Sequence, residues 1–300
     1  MCGIGGVVAV KGKFPKKNAT KLWDNISSRG KHACGVSWFW NDSDYVQTWK
    51  GPISSTKAIS RGIMKRVGEL VHYALFHTRF ATNGSTKNNG NNHPIIRDNI
   101  ILTHNGVIRN HNEVFTEFNV NRNNEVDSEA LNVALRHCGI EYIADNIQGS
   151  VSIAWVDTQE SLHKINLFTN GLNPLVIGRT TQNQIVWASL LSHLDCFELK
   201  SHFYAVPYKK YTIDVLEGTI DSEYVSDKRA NPQILEYAYT GENLNPSRSR
   251  PKTQKPKPKS VSMPKQRLIE GGYVYDDFDR VWRKATLEDW LENSEEIWWD

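Results

Sequence analysis

Apolar runs along the chain predict a series of short β-strands, and three segments with helical spacing predict helices. The predicted strands cover residues 3–10, 71–81, 99–106, 150–157, 175–180, 184–190 and 211–218. The predicted helices cover residues 17–30, 57–70 and 128–139. Many short strands with few helices are typical of an α+β fold built from packed sheets.

Two of the predicted helices are defined by an apolar stripe. The helix at 57–70 carries Ile59, Ile63, Val67 and Leu70 on one face. The helix at 128–139 repeats the pattern with Leu131, Leu135 and Cys138, and Gly139 follows. A glycine directly after an apolar stripe predicts the end of that helix.

The composition changes near residue 245, which predicts one globular domain over residues 2–245. Residues 246–267 form a basic segment in which Ser247–Arg267 holds eight Lys or Arg residues, four prolines and no acidic residue. Such a segment predicts an extended, solvated linker. It is the one place where contact with nucleic acid is expected, and a plain spacer is the favoured interpretation.

The tail at residues 268–300 is acidic and rich in tryptophan. From Glu270 onward it has ten acidic residues, three basic residues and four of the ten tryptophans. Thr286 and Asp289 form a capping-box pattern, which predicts a helix with Leu287 and Trp290 on one face. That helix packs either on its own domain or on a partner protein.

The overall composition excludes several classes of protein. The chain has 39% hydrophobic residues, 23% charged residues and a net charge of +3, which do not indicate general nucleic-acid or membrane binding. No apolar run reaches about eighteen residues, and no signal-peptide pattern precedes the domain. Cys34, Cys138 and Cys196 are scattered, which predicts small buried thiols in a reducing, cytoplasmic protein without a metal site or cofactor.

The opening "MCGIGG" places a cysteine directly behind the initiator methionine. Removal of Met1 would give Cys2 both a thiol and a free α-amine, which titrate at about 8.5 and roughly 7.7–8.0. The amine could then act as a general base for the thiol nucleophile. The alternative is a buried N-terminal strand with no chemical role.

Several later motifs are weak when each is taken alone. An arginine in a strand, an Asn-Gly pair and an aspartate before a helix are usually structural. Together, "CGI", "RGKHACG", "HTRFATNG", "NHP", "HNG" and "EVDSE" follow one another behind Cys2. This set resembles the class II glutamine amidotransferases, which are N-terminal nucleophile hydrolases. The closest pattern is the glutaminase domain of glucosamine-6-phosphate synthase, over about residues 2–215.

The resemblance implies a four-layer αββα sandwich and a role for each motif residue. Cys2 would attack the side-chain amide of glutamine, and Arg29 would order the turn at Cys2. The Asn105 side chain and the Gly106 N–H would form the oxyanion hole. Arg79 would bind the α-carboxylate and Asp127 the α-ammonium, in a pocket lined by Phe80, Thr82 and Asn83. No cofactor is implied.

The chain departs from the family pattern at several positions. The family's HTRWATHG and (A)HP stand here as "HTRFATNG" and "NHP", so that Phe80 replaces a tryptophan and Asn83 a histidine. The loop "NGSTKNNGNN" is rich in Asn and Gly, which predicts a mobile cover. None of these changes removes a group that the chemistry requires.

The resemblance implies a cytoplasmic glutaminase that supplies ammonia to a separate acceptor enzyme, because no acceptor module follows the domain. Amidotransferases of 7-deazapurine nucleic-acid modification share this layout. Two alternatives remain open: an N-terminal nucleophile amidase that acts on another amide, and a non-catalytic scaffold that acts through the tryptophan-rich tail.

Overall fold

The computed structural model describes residues 1–40 and 43–228, together with the backbone of three short strands in the tail. The chain divides into two compact units, Met1–Gly241 and Glu242–Asp300. The predicted basic linker and the predicted helix at 286–299 lie outside the described residues. In the second unit, β14 (Ile269–Glu270), β15 (Tyr273–Asp276) and β16 (Val281–Lys284) form a small antiparallel sheet.

Thirteen strands and five α-helices make up the described part of the first unit. The strands are β1 Gly3–Val8, β2 Ala33–Trp40, β3 Gln47–Gly51, β4 Val71–Arg79, β5 Ile95–Arg97, β6 Ile100–Ile108, β7 Gly149–Asp157, β8 Lys164–Thr169, β9 Val176–Thr180, β10 Ile185–Ala188, β11 Leu199–Tyr204, β12 Lys209–Asp214 and β13 Ile220–Tyr224. The helices are α1 Lys16–Asn25, α2 Ser55–Ser60, α3 Ile63–Val67, α4 His111–Glu117 and α5 Glu129–Asn146. Short 3₁₀ helices lie at Ile26–Arg29, Asn89–Asn91 and Leu191–Leu194.

The strands form two antiparallel sheets that stack between two helical layers. The first sheet has the order β11-β9-β10-β1-β4-β2-β3, and the second has the order β13-β12-β8-β7-β6-β5. One apolar core joins the first sheet to α1, α2 and α3, and another joins the second sheet to α4 and α5. A third core lies between the sheets, where Ile4 and Leu75 pack with Leu167. The predicted αββα sandwich is therefore confirmed.

One of the three glycines in the opening segment, Gly6, is explained by packing in the first sheet. Trp187 on β10 is fully buried, and its indole ring lies directly over Gly6 in the neighbouring strand β1. A Cβ atom at position 6 would overlap that ring. The glycine thus lets the largest side chain of the core pack against the strand that follows Cys2.

The predicted single helix at 57–70 is wrong in its extent. The structure has two short helices, α2 and α3, because Gly62 adopts a positive φ of 80° between them. Ile63 and Val67 are buried as expected, but Leu70 is 71% exposed because it follows the end of α3.

Gly139 interrupts the helix that follows Asp127 but does not end it. Its φ of 77° makes a kink, and helical structure resumes to Asn146. Cys138, which was expected to be a buried thiol, is exposed beside this kink, whereas Cys34 is buried.

The pattern did not predict six of the thirteen strands in the described part of the first unit. β2 is buried on both faces for most of its length, so its sequence lacks the alternation that marks a half-buried strand. β11 and β13 are edge strands with mostly exposed residues, so they lack an apolar pattern. The strands β3, β5 and β8 were also not predicted. Among the described residues, no helix is long and apolar enough to cross a membrane.

Candidate active site

Cys2 lies immediately before β1, a strand between β10 and β4 in the first sheet. Its half-buried thiol is 3.8 Å from the carbonyl oxygen of Phe80, the residue that follows β4. Gly3 pairs with Thr78 in the β1–β4 register. The sheet therefore brings the N-terminal thiol to the end of the strand that carries Arg79.

Arg29 holds the main chain of Cys2. Its Nε donates a hydrogen bond to the carbonyl oxygen of Cys2 at 2.8 Å. Arg29 ends the 3₁₀ helix after α1, and buried His193 braces that turn. The His193 carbonyl accepts from Asn25 at 3.0 Å, and its Nε2 lies 3.0 Å from the hydroxyl of Ser28. His193 is thus a supporting residue that the sequence did not indicate.

Asn105 is fully buried on β6, and neither polar atom of its side chain has a hydrogen-bond partner in the structure. Leaving a buried amide unpaired costs about 1–3 kcal/mol, so such a group calls for an explanation. Its own main-chain carbonyl is occupied, because it accepts from the Asn173 side chain at 3.1 Å. The side-chain amide therefore remains available to a ligand, as an oxyanion donor must be.

Gly106 follows Asn105 at a point where only glycine fits. A Cβ atom there would overlap the Ser150 carbonyl oxygen and crowd Nε2 of His104. The close approach of β7 to β6 at this point requires the absence of a side chain. The packing of β7 against β6 therefore explains the glycine of the Asn-Gly pair, which lies within a strand and not in a turn.

A chain of buried histidines ties the two sheets together beside the site. Nε2 of His77 on β4 lies 3.0 Å from the carbonyl oxygen of His104 on β6. His104 Nδ1 lies 2.8 Å from the hydroxyl of Ser128, the residue after Asp127. Burial lowers the pKa of His77 to about 3 and also lowers the pKa of His104, so both rings are neutral at neutral pH. These contacts fix the strand that bears Arg79 against the strand that bears Asn105.

Arg79 is buried, and its guanidinium donates to three acceptors. Nη1 donates to Oδ1 of Asn92 at 2.9 Å. Nη2 donates to the carbonyl oxygens of Asn83 and Gly84, the latter at 2.9 Å. Asn92 is a contact that the sequence did not predict. The loop after β4 is therefore folded around the Arg79 side chain.

The predicted lining residues after Arg79 sit at the surface. Phe80 is 46% exposed, and its ring packs on His32 with 4.8 Å between centroids. Thr82 and Asn83 are exposed, and Asn83 contacts Arg79 through its carbonyl rather than its side chain. A role of these three residues in lining the pocket stays a prediction.

Asp127 is buried before α5, where its Oδ2 accepts from the N–H of Ile108 at 2.7 Å. The charges near the Cys2 thiol include both Arg79 and Asp127. Burial raises the pKa of that thiol, the terminal amine and Arg79 oppose the rise, and Asp127 adds to it. The Cys2 thiol therefore lies in the electrostatic field of one cationic and one anionic side chain.

The described residues contain no cluster of three or more His, Cys, Asp or Glu side chains that could hold a metal ion. Cys2, Cys34, Cys138 and Cys196 are all free thiols.

Comparison with known proteins gives matches to one class of enzyme. A glutamine amidotransferase domain model matches residues 77–196. Glutamine–fructose-6-phosphate aminotransferase from Sulfolobus acidocaldarius is 27% identical over 257 residues, which cover 78% of this chain and 40% of that protein. The Thermotoga maritima protein of the same name is 30% identical over 46% of this chain and 22% of its own length.

A solved structure shows the same fold. Glutamine phosphoribosylpyrophosphate amidotransferase from B. subtilis superimposes with a TM-score of 0.63 at 18% identity, over 76% of this chain and 50% of that one. The chain spans less than half the length of the two curated relatives that it matches. The ordered motifs, the matched domain and the shared sandwich confirm the resemblance of this chain to class II glutamine amidotransferases.

Proposed function

We propose that Cys2, exposed as the first residue by removal of Met1, hydrolyses glutamine to glutamate and delivers ammonia to an acceptor enzyme. The observation that carries the proposal is the position of the Cys2 thiol, 3.8 Å from the carbonyl oxygen that directly follows buried Arg79, in a domain that also buries the Asp127 carboxylate. These three groups match the nucleophile, α-carboxylate and α-ammonium sites of a glutaminase.

The reaction divides into two steps that use the same groups. The Cys2 amine accepts the thiol proton, and the thiolate attacks the amide carbon of glutamine. The oxyanion that forms receives hydrogen bonds from the Asn105 side chain and the Gly106 N–H. Collapse of this intermediate breaks the C–N bond, and the amine returns its proton to the leaving ammonia. Water then attacks the γ-glutamyl thioester, which releases glutamate and regenerates the thiol.

The electrostatics of the terminus favour an amine that acts as the base. Burial raises the pKa of the Cys2 thiol, so the thiol keeps its proton until a base removes it. Burial and the nearby Arg29 lower the pKa of the terminal amine, which in this structure belongs to Met1. A lowered pKa increases the fraction of an amine that is neutral and can accept a proton, and we propose the same effect for the Cys2 amine.

We propose that the ammonia passes to an acceptor site on a separate protein, because free ammonia in water is protonated and ceases to be a nucleophile. This chain matches 40% of one curated relative and 22% of the other, so the larger part of each relative is not matched. The resemblance places a nitrile on a 7-deazapurine base first among acceptors, in a reducing cytoplasm. A partner-binding role for the tail and a nucleic-acid contact through the basic linker remain predictions.

The two alternative functions, an amidase that acts on another amide and a non-catalytic scaffold, require different residues at the site. An amidase that acts on another amide has no need for both Arg79 and Asp127 beside the nucleophile, and their presence favours glutamine. A scaffold that acts through its tail has no need for the unpaired Asn105 amide, whose burial costs stability.

The direct test combines turnover with mass spectrometry of the active protein. We expect glutamate and ammonia to be released from glutamine in equal amounts, by protein whose intact mass corresponds to a chain that begins at Cys2. Activity of protein that fully retains Met1 would contradict the mechanism. Hydrolysis of a simple amide at a rate equal to that of glutamine would favour the amidase.

Arg79→Lys tests the recognition of the α-carboxylate. We expect KM for glutamine to rise by about tenfold or more while kcat changes less, because a lysine ammonium cannot replace the guanidinium fork. Steady-state kinetics with glutamine measures the change. Arg61→Lys provides the control, because Arg61 is an exposed arginine at the end of α2. An unchanged KM in Arg79→Lys would show that the α-carboxylate binds elsewhere.

A further inference from the structure

We propose that Asn92 is the positioning residue for Arg79, and through it for the α-carboxylate of the substrate. Asn92 lies in the "NHP" segment, where the family pattern has alanine. An alanine side chain offers no acceptor, so a chain with alanine at this position cannot make this contact. The inference rests on the proposed function, because it concerns the binding of glutamine at the same site.

The Asn92 side chain is fully buried and uses both ends of its amide. Its Oδ1 accepts from Nη1 of Arg79 at 2.9 Å. Its Nδ2 donates to the carbonyl oxygen of Thr86 at 2.8 Å and to Oδ1 of Asn89 at 3.1 Å. The two loop acceptors fix the orientation of the amide, because a flipped amide would present its N–H groups to the guanidinium. Asn92 therefore presents a fixed acceptor to Arg79.

The donors of Arg79 are divided between the loop and Asn92. A guanidinium has five N–H donors. In this structure, one on Nη1 goes to Asn92 and two on Nη2 go to the carbonyl oxygens of Asn83 and Gly84. The planar edge formed by Nε and Nη2 does not include the donor to Asn92. A carboxylate that accepts from Nε and Nη2 replaces one of the two backbone carbonyl oxygens as the acceptor on Nη2. The hydrogen bond from Nη1 to Asn92 remains in place.

A neutral acceptor suits this task better than a charged one. An aspartate at position 92 would also accept from Nη1. Its negative charge would then offset the positive charge of the guanidinium before the substrate binds. Asparagine fixes the geometry and leaves the positive charge of Arg79 for the α-carboxylate. The adjacent Asn91 binds Ser85 and Glu125 instead and does not contact Arg79, although it is equally buried.

The test compares glutamine with 4-aminobutanamide, which keeps the amide and the amine but lacks the α-carboxylate. We expect Asn92→Ala to lower kcat/KM for glutamine by about tenfold, mainly through KM. The same variant should lower kcat/KM for 4-aminobutanamide by less than about twofold, because the group that Arg79 binds is absent. Asn92→Asp, which retains the acceptor, should also lose preference for glutamine.

Asn91→Ala is the matched control, because it removes hydrogen bonds from the same loop without touching Arg79. We expect any loss in this variant to be equal for the two substrates. Equal losses for the two substrates in Asn92→Ala and in Asn92→Asp would overturn the proposal and make Asn92 a structural residue only.

Binding measurements separate this inference from the proposed chemistry. Dissociation constants for both compounds are measured in the Cys2→Ala background, where hydrolysis is not needed for a readout. If the unaltered protein fails to hydrolyse glutamine but Asn92→Ala still reduces the preference for the α-carboxylate, the proposed chemistry fails and the inference stands. If Asn92→Ala leaves the preference unchanged, the inference fails whatever the activity.

Discussion

Cys2→Ala is expected to abolish the release of glutamate from glutamine. The substitution removes the sulfur that forms the thioester, and the Asn105 amide cannot replace a nucleophile. Loss of a catalytic nucleophile reduces kcat by on the order of 10⁴–10⁶-fold in hydrolases that act through a covalent intermediate. The assay measures glutamate formation with any acceptor protein present, so that a partner-dependent activity is not missed.

The fold should survive this substitution. Cys2 precedes β1, its side chain is half-buried, and the hydrogen bond from its thiol is a long contact to Phe80, while the bond from Arg29 goes to the main chain and is kept. We expect thermal unfolding within a few degrees of the unaltered protein. Cys138→Ala is the control, because Cys138 is an exposed thiol on α5. Near-normal activity in Cys2→Ala would refute nucleophilic catalysis by this residue.

The predictable part of the fold was the part with strong local patterns. The seven predicted strands and the helix before Gly30 are present because alternating or continuous apolar runs mark buried elements. The helix at 57–70 was predicted too long, since spacing alone cannot show that Gly62 takes a positive φ. Edge strands such as β13 are polar and exposed, and only their pairing with a neighbour defines them.

The residues of the candidate site also divide into those that the sequence predicted and those that it did not predict. The order of the motifs behind Cys2 predicted which residues could act, and the register of β1 with β4 brings Cys2 to the end of the strand that bears Arg79. The supporting contacts could not be predicted. Asn92 is one asparagine among many in its loop, and His193 contacts Asn25 and Ser28, in the turn before Arg29, from far along the chain. Such contacts depend on packing between distant segments, which no local pattern records.

The predicted role of Thr82 and Asn83 in lining the pocket stays a prediction. Both side chains are exposed in the structure. Asn83 contributes its main-chain carbonyl to Arg79, and any residue could provide that contact. The replacement of histidine by asparagine at this position is therefore compatible with the observed contact.

Asn105→Ala is expected to lower kcat by about 10²–10³-fold, the usual effect of removing one oxyanion donor. KM should change little, because the oxyanion exists in the transition state and not in bound glutamine. This split is the reverse of the one expected for Arg79→Lys, so the two variants distinguish stabilisation of the transition state from binding of the substrate. Steady-state kinetics with glutamine gives both parameters.

Stability provides a second readout for Asn105→Ala. The side chain makes no hydrogen bond in the structure, so the substitution removes a buried amide that has no partner. We expect the melting temperature to stay equal or to rise, which is typical of a residue kept for function at a cost in stability. Asn99→Ala provides a control, because Asn99 is an exposed residue directly before β6 whose side chain bonds to Gln159.

The combination of kinetics and stability decides the role of Asn105. A large fall in kcat with unchanged or increased stability identifies an amide held ready for the oxyanion. A large fall in melting temperature would show instead that the amide supports the packing of β6 and β7. A kcat within about threefold of the unaltered protein would remove Asn105 from the oxyanion hole.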